Sequence, residues 1–147
     1  MATGEPQRTG VAGGSFETDD GVEIAYWRWP VGLETTPVVL HHGFTGDTHR
    51  DWVDTGVVAA LTGAGRTVVA LDARGHGRSG KPHRPDAYGE DRMARDVSSL
   101  VAELGLARFD LIGFSMGAVV AVLVATRDQR LRRLVTLGVG ASVVEKG

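Results

Sequence analysis

Gly113-Phe114-Ser115-Met116-Gly117 has the form G-x-S-x-G, and its surroundings suit a serine that acts as a nucleophile. Before it, Phe109-Asp110-Leu111-Ile112 is short and mostly apolar and reads as a buried strand. After it, Ala118 to Ala125 is rich in Ala, Val and Leu and reads as a buried helix. Strand, sharp turn with Ser115 at the tip, helix: this is the context a nucleophile elbow needs. So tight a turn strains the serine backbone, and side chains at Gly113 and Gly117 would collide with the adjoining strand and helix. The amides of Ser115 and Met116 are expected to be unpaired at the helix N-terminus, where they favour negative charge. A serine so placed could serve as a nucleophile.

The sequence has five histidines. His41 and His42 lie where an apolar strand, Pro37 to His41, runs into the loop His42-Gly43-Phe44-Thr45-Gly46. His42 is expected to shape that loop rather than to exchange protons. His49, His76 and His83 read as loop residues. No two histidines have the i, i+4 helical spacing of a zinc site, and there is no cysteine, so no metal and no disulfide framework are predicted. Gly75-His76-Gly77-Arg78-Ser79-Gly80 matches G-x-G-x-x-G, but a dinucleotide fingerprint must open a helix. Lys81-Pro82-His83-Arg84-Pro85 follows, and two prolines so close argue against one. No cofactor is predicted.

The positioning elements follow from periodicity. Residues 15–18 and 22–29 read as a hairpin around Asp20-Gly21. In its second strand Val22, Ile24, Tyr26 and Arg28 share one face, and Glu23, Ala25, Trp27 and Trp29 the other. Asp51 to Thr62 reads as a helix with Val53, Val57, Val58 and Leu61 on one face, ended by Gly63 and Gly65. Thr67 to Asp72 is a buried strand, and residues 73–88 a loop. Glu90 to Leu104 is the clearest amphipathic helix, with Met93, Val97, Leu100, Val101 and Leu104 inward and Gly105 as its cap. Leu131 to Leu137 is the last strand. Strands alternating with helices from residue 37 onward predict an α/β fold, a mostly parallel sheet covered on both faces, with an antiparallel hairpin before it.

With 147 residues, 42% hydrophobic and 23% charged, one globular domain is expected. Residues 1–14, polar and glycine-rich, read as a flexible tail and not as a secretory signal. A net charge of −2 gives no reason to expect nucleic acid or an anionic membrane as partner, and a cytoplasmic location fits the lack of cysteine. Of 16 basic residues 14 are Arg, which with abundant Gly, Ala and Val suggests a GC-rich bacterial coding bias.

Three loops, His42-Gly43-Phe44, Asp72 to Gly80 and Gly113 to Gly117, come in the order and spacing of the α/β-hydrolase superfamily. The chain resembles that superfamily from about residue 15 to 138, and most of all its esterase, lactonase and cofactor-free haloperoxidase branch. The resemblance implies that Ser115 is the nucleophile. It implies that the backbone N–H groups of Met116 and Phe44 are oxyanion donors, with His42, Gly43, Gly113 and Gly117 shaping the site. It also implies that the Asp72 to Gly80 segment braces the site and supplies no catalytic group. In many relatives a second glycine follows the elbow; here it is Ala118.

The superfamily's chain order is Ser, then Asp or Glu, then His. After Ser115 the sequence has no histidine, and its only acids are Asp128, expected to be solvated, and Glu145. The expectation is therefore the N-terminal part of an incomplete α/β-hydrolase fold, 15–147, whose acid and base are missing from these residues. It would act on an ester, lactone or similar small acyl substrate. The alternative is a non-catalytic fold remnant that binds a small apolar ligand or a partner chain. Leu131 to Leu137 is expected to pair on one side only and to promote self-association.

Overall fold

The computed structural model describes residues 12–31 and 35–138. The strands are β1 (Ala12–Glu17), β2 (Glu23–Trp29), β3 (Val38–His41), β4 (Val68–Leu71), β5 (Phe109–Phe114) and β6 (Leu131–Leu137). The α-helices are α1 (Val57–Gly63), α2 (Glu90–Glu103) and α3 (Met116–Arg127). They form one six-stranded sheet in the order β1-β2-β4-β3-β5-β6. β1 and β2 form the antiparallel hairpin, β2 meets β4 antiparallel, and β4, β3, β5 and β6 run parallel.

Every residue of β3 and β4 is buried, as strands covered on both faces must be. Alternate residues divide between two apolar layers. Val39, Val69, Leu71 and Leu111 pack with Val97, Leu100 and Val101 of α2 and Val120, Ala121 and Val124 of α3. Val38, Leu40, Val68 and Ala70 pack on the opposite face with Trp52, Val53 and Val58. β2 obeys the predicted split: Val22 and Ile24 join the first layer with Tyr26, and Trp29 joins the second with Trp27. α2 ends as its sequence predicts. Gly105 takes φ 65°, its N–H reaches Ala102 O, and the Leu106 N–H reaches Val101 O, which satisfies two otherwise orphaned carbonyls.

Four local expectations are corrected. The predicted tail runs too far, because β1 already starts at Ala12 and pairs Gly13 with Trp27 and Gly14 with Tyr26. A Cβ on Gly14 would collide with the Tyr26 ring, so this glycine is part of a packed strand. The helix expected over Asp51 to Thr62 is two pieces, a π-helical turn at His49–Val53 and then α1. Gly56 divides them at φ 87°, a left-handed conformation that no continuous helix accommodates. The helix after Ser115, expected to be buried, is one-sided, with Val119 and Val122 40% and 47% exposed. Asp128 is not solvated: its carboxylate holds Arg130 at 2.7 Å and the Ser98 hydroxyl at 2.8 Å, and the Arg130 bond lowers its pKa to about 2. β6 pairs only with β5 and closes the sheet among the described residues, with Leu134, Val135 and Leu137 exposed.

Candidate active site

The C-terminal ends of β3, β4 and β5 lie side by side, His41 opposite Leu71 on one flank and Gly113 on the other. The three sequence motifs are the loops that leave these ends. Open parallel sheets bind ligands at this end.

Ser115 occupies the junction of β5 and α3 with φ 57° and ψ −114°, and is the one described non-glycine residue with positive φ. Its flanking glycines are required by close approach. A Cβ on Gly113 would overlap the Gly117 carbonyl, and one on Gly117 would overlap the carbonyl oxygen of His41. Strand, elbow and helix are thus in backbone-to-backbone contact, and only glycine fits. Ser115 itself is exposed.

One sequence expectation fails here. The Ser115 amide is not free: it donates to Leu137 O at 2.9 Å, because β6 runs alongside β5 up to the elbow. The Met116 amide makes no hydrogen bond among the described residues, and neither does that of Phe44. Phe44 and Met116 line one cavity of ≈ 490 Å³, together with His76, Tyr88, Glu90 and Met93.

The loop carrying Phe44 is held by its neighbours. The Phe44 N–H belongs to the same peptide plane as the Gly43 carbonyl, so whatever fixes one fixes the other. That carbonyl accepts from the Gly46 N–H at 3.1 Å and lies 2.7 Å from His42 Nδ1. His42 Nε2 is 2.9 Å from the Ala73 N–H, which can only donate. The ring is therefore protonated at Nδ1, donating to Gly43 and accepting from Ala73. Burial lowers the His42 pKa and keeps this neutral form. The Gly43 N–H donates to Asp51 Oδ2 at 2.9 Å. A Cβ on Gly43 would press on the Phe114 ring at 3.0 Å, so Gly43 also lets the loop close onto the elbow. His41 is fully buried, with Nδ1 3.0 Å from the His42 carbonyl, and burial pushes its pKa down to about 3.

The Asp72 to Gly80 segment forms a brace. Asp72 accepts from the amides of Thr48 and Arg78 at 2.8 and 2.9 Å. The Ser79 hydroxyl donates to the Asp72 carbonyl and accepts from the Ala25 amide. Arg74 is wholly buried. It binds Asp96 through Nε and a terminal nitrogen, both at 2.8 Å, and reaches Asp20 and the Ala87 carbonyl. Sequence reasoning missed Arg74 and also His76, taken for a plain loop residue. His76 bridges two loops, with Nε2 2.7 Å from the Phe44 carbonyl and Nδ1 3.0 Å from that of Arg74. The partners of Arg74 lie 13 to 54 positions away in sequence and the Phe44 carbonyl 32 positions from His76, so neither role gives a local signal. The available hint was a basic and an aromatic residue beside the tight turn at Gly75.

Among the described residues no group of three or more His, Asp or Glu could hold a metal, and no helix is long and apolar enough to cross a membrane. The residues after Gly138, Glu145 among them, lie outside the described ones.

Residues 36–145 match the family model of the alpha/beta hydrolase fold, and the chain belongs to that family. It is 32% identical over 130 residues to the sn-1-specific diacylglycerol lipase ABHD11 of Danio rerio, covering 88% of this chain and 39% of the relative. It is 38% identical over 102 residues to the non-heme chloroperoxidase CPO-A1 of Kitasatospora aureofaciens, covering 68% of this chain and 34% of that one. Among solved structures, the bottromycin epimerase BotH in complex with bottromycin A2 superposes with a TM-score of 0.77 at 29% identity, over 91% of this chain and 54% of the other. The chain thus spans little more than a third of these two curated relatives.

Proposed function

We propose that these residues carry the nucleophile and oxyanion donors of a serine hydrolase acting on an ester, lactone or similar acyl substrate. The observation that carries this reading is the backbone of Ser115. A serine held at positive φ, with glycine-only contacts on both sides, is a conformation maintained against strain of ~1–3 kcal/mol. The strain aims an exposed hydroxyl outward beside an amide at the start of a helix. In the proposed reaction the Ser115 Oγ adds to the acyl carbon, and the Met116 and Phe44 N–H groups bond the oxygen as it gains charge, ~3–4 kcal/mol for one such donor. The alcohol leaves, and water releases the acyl group from Ser115. The cavity beside Phe44 and Met116, edged by Tyr88 and Met93, accepts the apolar part of the substrate. A lipase and a haloperoxidase among the relatives support the class.

The base and its orienting carboxylate are placed outside the described residues. His42 uses both ring nitrogens on backbone groups, both nitrogens of His76 face carbonyls, and His41 is fully buried. A cytoplasmic site of action belongs to the same proposal.

The test combines a phosphonate probe for Ser115 with hydrolysis of an activated short-chain ester. The 147-residue chain is expected to turn over very slowly. An extended chain that supplies a histidine should turn over fast, and Ser115→Ala should abolish that activity. Fast, Ser115-dependent hydrolysis by the 147-residue chain would place a base within it. Labelling indifferent to Ser115→Ala would remove the nucleophile assignment.

The exposed β6 edge supports self-association of the isolated chain. Sedimentation should show dimers or larger species, reduced by Val135→Lys; a clean monomer at high concentration would end that proposal.

A further inference from the structure

His76 lies between two carbonyl oxygens. Nε2 is 2.7 Å from that of Phe44 and Nδ1 is 3.0 Å from that of Arg74. A carbonyl only accepts. A neutral imidazole donates through one nitrogen and sets a lone pair against whatever faces the other. Both contacts become hydrogen bonds only when the ring carries two protons. We propose that His76 is a positioning residue for the Phe44 oxyanion donor, and that its imidazolium form locks the donor loop to the Arg74 loop.

The two ends of the bridge are held differently. The Arg74 end is immobile, because its side chain is buried on Asp96 and Asp20. The Phe44 end is the tip of an exposed loop, with Phe44 69% accessible. His42 fixes the peptide plane before Phe44 through the Gly43 carbonyl; His76 fixes the plane after it. His42 thus sets the direction of the Phe44 N–H, and His76 ties the plane that follows to the Arg74 loop, so the loop tip is held on both sides. Removing the second clamp leaves the tip held on one side only, and the donor shifts in position without the serine being touched.

The His76 ring is half-buried and lines the cavity it shares with Glu90 and Tyr88. From the β3 loop it meets His42, ring centroids 5.1 Å apart, which burial keeps neutral. On its own loop Asp72 is engaged with two amides, Arg74 with its two carboxylates, and Arg78 is exposed. The proposal rests on the oxyanion reading of Phe44 but is tested without catalysis, so that the two can fail separately.

The experiment is nuclear magnetic resonance on the isotope-labelled 147-residue chain, titrated from about pH 8 to about pH 5, the range in which histidine changes charge. The readouts are the two ring nitrogens of His76 and the backbone amides of Phe44 and Thr45. Thr45 shares the peptide plane of the Phe44 carbonyl. Both ring nitrogens are expected to reach imidazolium shifts with a single midpoint, and the Phe44 and Thr45 amides to move with that same midpoint. Their order parameters should rise as the ring protonates, from flexible values below about 0.6 towards the rigid ~0.85. His76→Gln, which has one amide group to offer, should erase the shared midpoint while the Met116 and Gly117 signals stay in place. A ring that titrates while Phe44 and Thr45 stay still, or one that keeps an acceptor nitrogen throughout, overturns the proposal. The wild-type titration decides this even if the variant does not fold. Loss of Ser115 labelling under the phosphonate test would bear on the nucleophile and leave this result unchanged.

Discussion

At the C-terminal ends of β3, β4 and β5, polar side chains are buried and reach backbone groups: His42 on Gly43 and Ala73, Asp72 on Thr48 and Arg78, and Arg74 on Ala87 beside its buried pair with Asp96. At the N-terminal ends of the same strands, a buried carboxylate meets guanidinium groups that reach the surface. Asp110 holds Arg66 at 2.7 Å and Arg132 at 2.8 Å, both guanidinium groups partly exposed. Burial works against the Asp110 carboxylate, but Arg132 and Arg66 outweigh it and keep its pKa below the ordinary value. One end therefore fixes the paths of loops, where an error of an ångström matters. The other closes the sheet with pairs that can be exchanged for others. The sheet between them is common to both, so the difference lies in what the exposed backbone at each end must do.

The contrast can be broken most sharply at Gly117. Gly117→Ala drives a Cβ into the His41 carbonyl and should cost more than ~3 kcal/mol or prevent folding, measured by urea unfolding followed by circular dichroism. A loss below 1 kcal/mol would mean that elbow and β3 are not in contact.

Next in size is a paired comparison of arginines. Arg74→Ala leaves Asp96 buried without its partner and should cost ~3–5 kcal/mol. Arg66→Ala should cost ~1 kcal/mol or less, because Asp110 keeps Arg132 and water reaches the pair. Equal losses would erase the distinction between the two ends.

A pH series sharpens it further. His41 and His42 are buried with lowered pKa values, His41 at about 3, so the native state resists protonating them. The unfolded chain protonates both below about pH 6.5. Stability should accordingly fall with pH between about 6.5 and 4, by up to ~1.4 kcal/mol per pH unit for each ring. Below about pH 4 the carboxylates with lowered pKa values, Asp20, Asp110 and Asp128, add a loss of the same sign as they protonate. A flat profile between pH 6.5 and 4 would place the two histidines outside the interior.

The smallest effect is a gain. Gly63 closes α1 away from the site, and a Cβ there meets nothing within 4 Å. Gly63→Ala should stabilise the chain by ~0.5–1 kcal/mol, seen as a higher melting temperature.

The elements were legible where periodicity is a local property. β3, β4, β6 and α2 lie within a residue or two of the expected bounds, because apolar runs and caps announce them. The elbow was legible because close approach demands glycine at two fixed positions around Ser115. What could not be read depends on partners remote in sequence. The Ser115 amide is taken by Leu137, Gly14 pairs with Tyr26, and Asp128 meets Ser98 across 30 residues. Gly56 marks the other kind of failure. A helical pattern of valines survived across it, with Val53 and Val58 buried, while the backbone between them left the helix. Hydrophobic spacing reports which face is buried, not whether the chain between is continuous. His76 and Arg74 carried no periodic signal, and their roles come from hydrogen bonds alone.

Ser115 stands in a conformation that suits glycine. Ser115→Gly would release that conformation and is expected to raise stability by ~1 kcal/mol while deleting the hydroxyl. Durability and reactivity are thus opposed at a single position. A library of this chain sorted only for resistance to heat or protease would enrich the variant that has lost its nucleophile. Any directed evolution of the scaffold therefore needs a screen that retains the serine.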